Sequence, residues 1–183
     1  MRTLTGAEPN LADAWHALGC AAAELGDDRE MRTAWKRAWT LDAAPAKPAE
    51  PGDKRGTPPE EPDRLSEAEV GTVAEQALAE LPERARALLR DVPVVVADLP
   101  AEADVDAGLD PRALGLFSGT SYPDMPNVGG QPGLTQIVLF RRNLERVAAS
   151  PEDLREEIRT TLLHEAGHFF GMDEQDLEDA GLD

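Results

Sequence analysis

His164-Glu165-Ala166-Gly167-His168-Phe169-Phe170-Gly171-Met172-Asp173-Glu174 reads His-Glu-x-x-His, with a glycine three residues past the second histidine and an acid six past it. An α-helix advances about 100° per residue, so positions four apart lie about 40° apart on one face. His164 and His168 can therefore offer one ring nitrogen each to the same ion. Glu165 lies on the adjoining side, close enough to reach a water held there without ligating. A catalytic zinc takes three protein ligands and keeps a further position for water or substrate. The third ligand must come from beyond the helix. Gly171 can adopt positive φ and stop the helix. Glu174 is then the acid best placed to close the site. Asp173, one residue out of step, and Asp176, two out of step, serve instead if the turn is looser. Zn2+ in such a site acidifies water, and Glu165 as general base takes the proton and later gives it to the leaving amine. Iron, cobalt or manganese also suit a His/His/carboxylate set.

The short motif arises by chance in unrelated helices, and a buried histidine pair can simply be hydrogen-bonded core. The surroundings favour a metal. Ser150-Pro151-Glu152-Asp153 supplies an N-cap, a proline at the first helical position and acids in the first turn. Leu154, Ile158, Leu162, Ala166 and Phe169 follow as an apolar stripe at helical spacing. Leu163 and Phe170 add apolar surface opposite, so the helix end is expected to be buried on both faces. Two histidines and a glutamate in such a place need partners.

Upstream, Ser66-Glu67-Ala68-Glu69 is a capping box, and Val70, Val73, Ala77, Leu78 and Leu81 follow at helical spacing. Pro82 breaks that helix, and a short second one is expected over 84–90. Val92 to Ala97 reads as a strand, residues 98–113 as an acidic loop, Leu114 to Ser118 as a second strand and Thr135 to Phe140 as a third. The segment 119–133 is rich in Gly and Pro and holds the only tyrosine, Tyr122. The pattern predicts an α+β domain, a small mixed sheet with helices on one face.

From about Leu65 to Asp183 the chain resembles the small bacterial zincin-like metallopeptidase family, whose motif reads His-Glu-x-x-His-x-x-Gly-x-x-acid. Leu114-Gly115-Leu116-Phe117-Ser118-Gly119 resembles the family's strand and glycine turn. Gln136-Ile137-Val138-Leu139-Phe140-Arg141 resembles its edge strand, followed by Asn143-Leu144-Glu145 and the metal helix. The resemblance implies a minimal zincin-like fold with the active-site helix near the C-terminus. It also implies zinc at His164, His168 and Glu174, and Glu165 as base. The strand over 135–140 would hold an extended peptide by backbone pairing. Tyr122 is a candidate donor to the oxyanion of the attacked carbonyl.

Ahead of this domain, residues 1–43 read as a separate helical hairpin. Trp15-x-x-Leu18-Gly19, Gly26, Trp35 and Ala38 resemble one tetratricopeptide repeat over about 8–42, with Ala22 and Met31 departing from the pattern. A lone repeat cannot bury its own apolar face, so it is expected to pack on the second domain, to dimerise, or to be the remnant of an array. His16, beside Trp15, is expected to face solvent or the repeat groove, too remote in sequence to be a ligand. Cys20 is expected in the core. Residues 44–65, with six prolines from Pro45 to Pro62 among charged residues, read as a disordered linker, and residues 66–183 as the zincin-like domain.

The 183 residues carry a net charge of −18. Such acidity disfavours nucleic acid and anionic membranes as partners. The single cysteine excludes an internal disulfide, no apolar run reaches spanning length, and the polar N-terminus shows no signal peptide, so a cytoplasmic protein is expected. The sequence thus points to a zinc metallopeptidase acting on a peptide or protein. The competing expectation is a non-catalytic interaction module. Its helical repeat would dock a protein partner, and its zinc site would be vestigial or else structural, with Asp173, Asp176 or Glu178 as a fourth ligand.

Overall fold

The computed structural model describes Gly6 and residues 8–44, 65–124 and 135–179. Of the expected linker, residues 45–64 lie outside the described residues, as do residues 125–134 of the Gly/Pro-rich segment. The described chain falls into two compact units. Residues 99–113 belong to the unit of the N-terminal hairpin, and residues 65–98 to that of residues 114–124 and 135–179.

In the second unit, Ser66 caps α3 (Glu67–Glu80) through the reciprocal box that its sequence predicts. The Glu69 N–H donates to Ser66 Oγ at 3.3 Å, and the Ser66 N–H donates to Glu69 Oε2 at 2.8 Å. Pro82 ends the helix at an extended Leu81, and α4 (Glu83–Leu89) follows. Strands β1 (Val94–Ala97), β2 (Gly115–Ser118) and β3 (Gln136–Phe140) form a sheet in the order β1-β3-β2, with β1 parallel and β2 antiparallel to β3. The family resemblance implies an edge position for β3; the structure puts it in the centre, paired on both sides. The reason is its continuous apolar run. Ile137, Leu139 and Phe140 are all buried, which a central strand satisfies and an exposed edge does not. The edge strand on that side is β2.

After α6 (Arg141–Val147), Ser150 Oγ accepts the Asp153 N–H at 3.1 Å and starts α7 (Pro151–Phe169). The stripe Leu154, Ile158, Leu162, Ala166 and Phe169 packs in one core with Val70, Ala74 and Ala77 of α3 and with Ile137 and Leu139 of β3. Leu163 and Phe170 are only half-buried, so the helix end is not closed on both faces as expected. A last helix, α8 (Glu174–Asp179), follows the Gly171 turn.

The first unit is built on a hairpin of α1 (Ala12–Glu24) and α2 (Asp28–Ala43), with Asp27 Oδ1 accepting the Glu30 N–H at 3.0 Å. Trp35 lies across Gly19, where a β-carbon would come within 2.1 Å of the indole. Residues 98–113, expected as a loop, contain α5 (Glu102–Ala107). Val105 on α5 is buried against Ala22, Met31 and Trp35. Trp39 Nε1 donates to the Pro100 carbonyl at 2.9 Å, and Lys36 Nζ reaches Asp106 Oδ1 at 2.8 Å. Apolar surface that a lone hairpin cannot cover is thus covered by this segment of the same chain. No helix among the described residues is long and apolar enough to cross a membrane.

Candidate metal centre

Helical spacing carries His164 and His168 to one side of the last turns of α7. Their Nε2 atoms lie 3.1 Å apart, with the rings nearly perpendicular at 81°. Two nitrogens bound tetrahedrally to one zinc at about 2.0–2.1 Å would lie about 3.3 Å apart, so the pair already has the span of a shared ion. His168 Nδ1 is 3.2 Å from the Met172 carbonyl oxygen. With Nδ1–H donating there, the lone pair is left on Nε2, the atom that faces His164. That carbonyl is brought back by the turn. Gly171 has φ +83, in the left-handed region, and the Met172 N–H donates to the Gly167 carbonyl at 3.1 Å.

Glu174 completes the group. Its Oε1 lies 3.5 Å from His168 Nε2 and its Oε2 3.8 Å from His164 Nε2. One ligand atom from each of the three residues lies within 4.8 Å of the others. Asp173 and Asp176 are engaged elsewhere. The Asp176 N–H donates to Asp173 Oδ1 at 3.0 Å and the Asp173 N–H to Asp176 Oδ2 at 3.2 Å, so the two carboxylates cap the start of α8. Glu174, between them, turns its carboxylate to the histidines. The donor set, two imidazoles and one carboxylate, fits zinc of the catalytic kind, which takes three protein ligands.

Glu165 is buried, 8% exposed, on the side of α7 that meets β2. Its Oε2 accepts the Phe117 N–H at 2.6 Å. Burial pushes its carboxyl above the usual carboxylate range, with Glu174 adding to the push; the Phe117 N–H and then the two histidines pull the other way. The strand approaches this closely because position 115 is glycine. A β-carbon there would sit 2.8 Å from Thr161 Cγ2, 2.9 Å from Glu165 Cγ and 3.0 Å from Glu165 Oε1.

Tyr122 opens a single 3-10 turn, Tyr122–Asp124, and its ring packs 6.0 Å from that of Phe169, next to His168. Pro123 of the same turn lies against Gly171, 3.0 Å from where its β-carbon would be. Tyr122 is 46% exposed.

A family model described as a zincin-like metallopeptidase matches residues 89–182. The chain belongs to that family. No curated protein matches the chain. Zinc is the metal that the family implies, and peptides or proteins are the substrates that it implies.

Several contributors to the centre escaped the sequence reading. Gly115, Gly167 and the Met172 carbonyl act by what they leave room for or by backbone, and side-chain chemistry gives no sign of them. The glycine inside the motif was a visible signal, since a glycine within a helix has a cost that packing must offset. In the first unit, His16, expected to face solvent or the repeat groove, is half-buried with its Nε2 2.8 Å from Asp110, 94 positions along the chain. Cys20, expected in the core, is half-buried beside it.

Proposed function

We propose that this zincin-like chain hydrolyses peptide bonds at a zinc held by His164, His168 and Glu174, with Glu165 as general base. The convergence of the two histidine Nε2 atoms and the Glu174 carboxylate, beside a buried glutamate that does not ligate, carries this reading. When bound, zinc supplies a Lewis acid that polarises the scissile carbonyl and acidifies water. The remaining work falls to the chain. Glu165 Oε2 is anchored by the Phe117 N–H, which leaves Oε1 to receive the water proton. The same oxygen then gives that proton to the amine as the carbon–nitrogen bond breaks. Edge strand β2, rather than β3, is paired on one side only among the described residues, and its backbone groups other than the Phe117 N–H, which Glu165 takes, are offered to an extended peptide. Tyr122 is the proposed oxyanion donor, carried towards the centre on the turn that packs against Gly171 and Phe169.

Glu165→Gln tests the mechanism. Zinc content should stay at the wild-type level while peptide hydrolysis falls by about 10²–10⁴-fold, the range of a lost general base. Activity that survives the substitution would refute the assignment. Tyr122→Phe should lower kcat with little change in KM; an unchanged kcat removes the oxyanion role.

A further inference from the structure

A second set of metal-ligating side chains lies wholly in the first unit. His16 and Cys20 are four apart on α1 and share a face. Asp110 follows α5. His16 Nε2 lies 2.8 Å from Asp110 Oδ1 and 3.1 Å from Oδ2, and Cys20 Sγ lies 3.7 Å from His16 Nε2. One ligand atom from each of the three falls within 4.8 Å of the others, and all three residues are half-buried.

The spacing agrees with a shared ion. A zinc with sulfur at about 2.3 Å and nitrogen at about 2.0–2.1 Å holds the two about 3.6 Å apart in tetrahedral geometry, close to the Cys20–His16 separation. The His16–Asp110 contact is a hydrogen bond, and it opens by about half an ångström to admit the ion.

Trp35 gives an independent sign. The residue is 8% exposed, and its Nε1–H is buried facing the Cys20 sulfur, with no acceptor among the described residues at full hydrogen-bond geometry. A buried donor needs an acceptor. The indole lies on Gly19, next in sequence to Cys20, with Nε1 2.4 Å from where a Gly19 β-carbon would be. An indole N–H only donates, and a thiolate on Cys20 accepts it better than a thiol does. Burial and then the Asp110 charge push the Cys20 thiol up, while Trp35 favours the thiolate.

We propose that His16 Nε2, Cys20 Sγ and a carboxylate oxygen of Asp110 bind a second zinc ion that ties α1 to the segment after α5. On binding, the thiol proton is released to solvent and the imidazole enters neutral. Zinc suits the mixed set. A thiolate and an imidazole turn away magnesium and calcium, and the carboxylate turns away copper(I). This site stands apart from the peptidase reading, and either survives the failure of the other.

Cobalt(II) titration of the full chain decides it, because the His164–His168–Glu174 centre contains no sulfur. Wild type should bind about two cobalt ions per chain and show a thiolate-to-cobalt charge-transfer band. The band should persist in His164→Ala and vanish in Cys20→Ser. Asp110→Asn should weaken the cobalt that gives the band by about tenfold or more. A folded wild type that shows no such band at saturating cobalt overturns the site and leaves a His16–Asp110 ion pair only. That measurement stands even if a variant fails to fold.

Discussion

Leu177 lies against the bare Cα of Gly167: a β-carbon built there would be 2.3 Å from Leu177 Cδ2. Gly167 is inside the histidine motif on α7, and Leu177, fully buried, is on α8. Glu174 is three residues before Leu177 on the same short helix, so the contact that seats Leu177 also sets where Glu174 stands. Gly167→Ala should push α8 outward. Zinc affinity should fall by about tenfold or more although all three metal ligands and Glu165 remain, an effect of the size seen when a ligand's support is lost. Zinc titration of Gly167→Ala, and of Gly167→Ala with Leu177→Ala, checks this. The second change should restore part of the affinity, and strict additivity of the two would refute the coupling.

Gly115 stands in the same relation to Glu165 as Gly167 does to Glu174. A methyl at 115 meets Thr161 and the Glu165 side chain at 2.8–3.0 Å. Gly115→Ala should lower kcat by about tenfold or more through a displaced base, in line with the sensitivity of catalysis to misplacement. Zinc content should hold, because neither histidine is touched. Loss of zinc in parallel with activity would mean that β2 supports the metal rather than the base.

The metal helix was legible in the sequence because it repeats its signal. The cap at Ser150, the proline, the five-residue apolar stripe and the histidine spacing all agree over one long segment. The capping box at Ser66 was legible for the same reason. Strand order was not, because alternation in a five-residue strand gives no neighbour. Only the unbroken apolar run of β3 pointed to a central place. Helix α5 was missed because six residues with one buried side chain, Val105, carry no period. Which of Asp173, Glu174 and Asp176 faces the histidines depends on which carboxylates cap α8, and spacing alone does not reveal that. Nothing in spacing links His16 to Asp110 either, since the intervening chain must fold first.

The division of labour at the start of α8 separates stability from metal binding. Asp173 accepts the Asp176 N–H at 3.0 Å as a cap, whereas Glu174 reaches both histidines. Asp173→Ala should cost about 1 kcal/mol of stability, the usual loss for a cap. Its effect on zinc should be smaller than that of Glu174→Ala, which should remove most of the bound metal at limiting zinc. Metal analysis after dialysis, beside a denaturation curve for each variant, makes the comparison. Equal zinc loss from both would point to a looser turn in which Asp173 also ligates.

Two helical glycines with opposite surroundings test the packing of the first unit. A β-carbon at Gly19 would lie 2.1 Å from Trp35 Cδ1, whereas one at Gly71 on α3 would meet nothing within 4 Å. Replacing a helical glycine by alanine gains about 0.8–1.0 kcal/mol where there is room. Gly71→Ala should therefore stabilise its unit by about that amount. Gly19→Ala must move the indole that packs with Ala22, Met31 and Val105, at a cost of about 1–3 kcal/mol for overpacking. The net change should be destabilising. Trp15, Trp35 and Trp39, the three tryptophans of the chain, all lie in the first unit, so their fluorescence follows that unit in a denaturant titration. Gly19→Ala should shift the fluorescence midpoint down, and Gly71→Ala should leave that midpoint in place while raising the circular-dichroism midpoint of the second unit. A fluorescence midpoint unmoved by Gly19→Ala would mean that the indole does not rest on α1 in solution, and the donor that Trp35 offers to Cys20 would go with it.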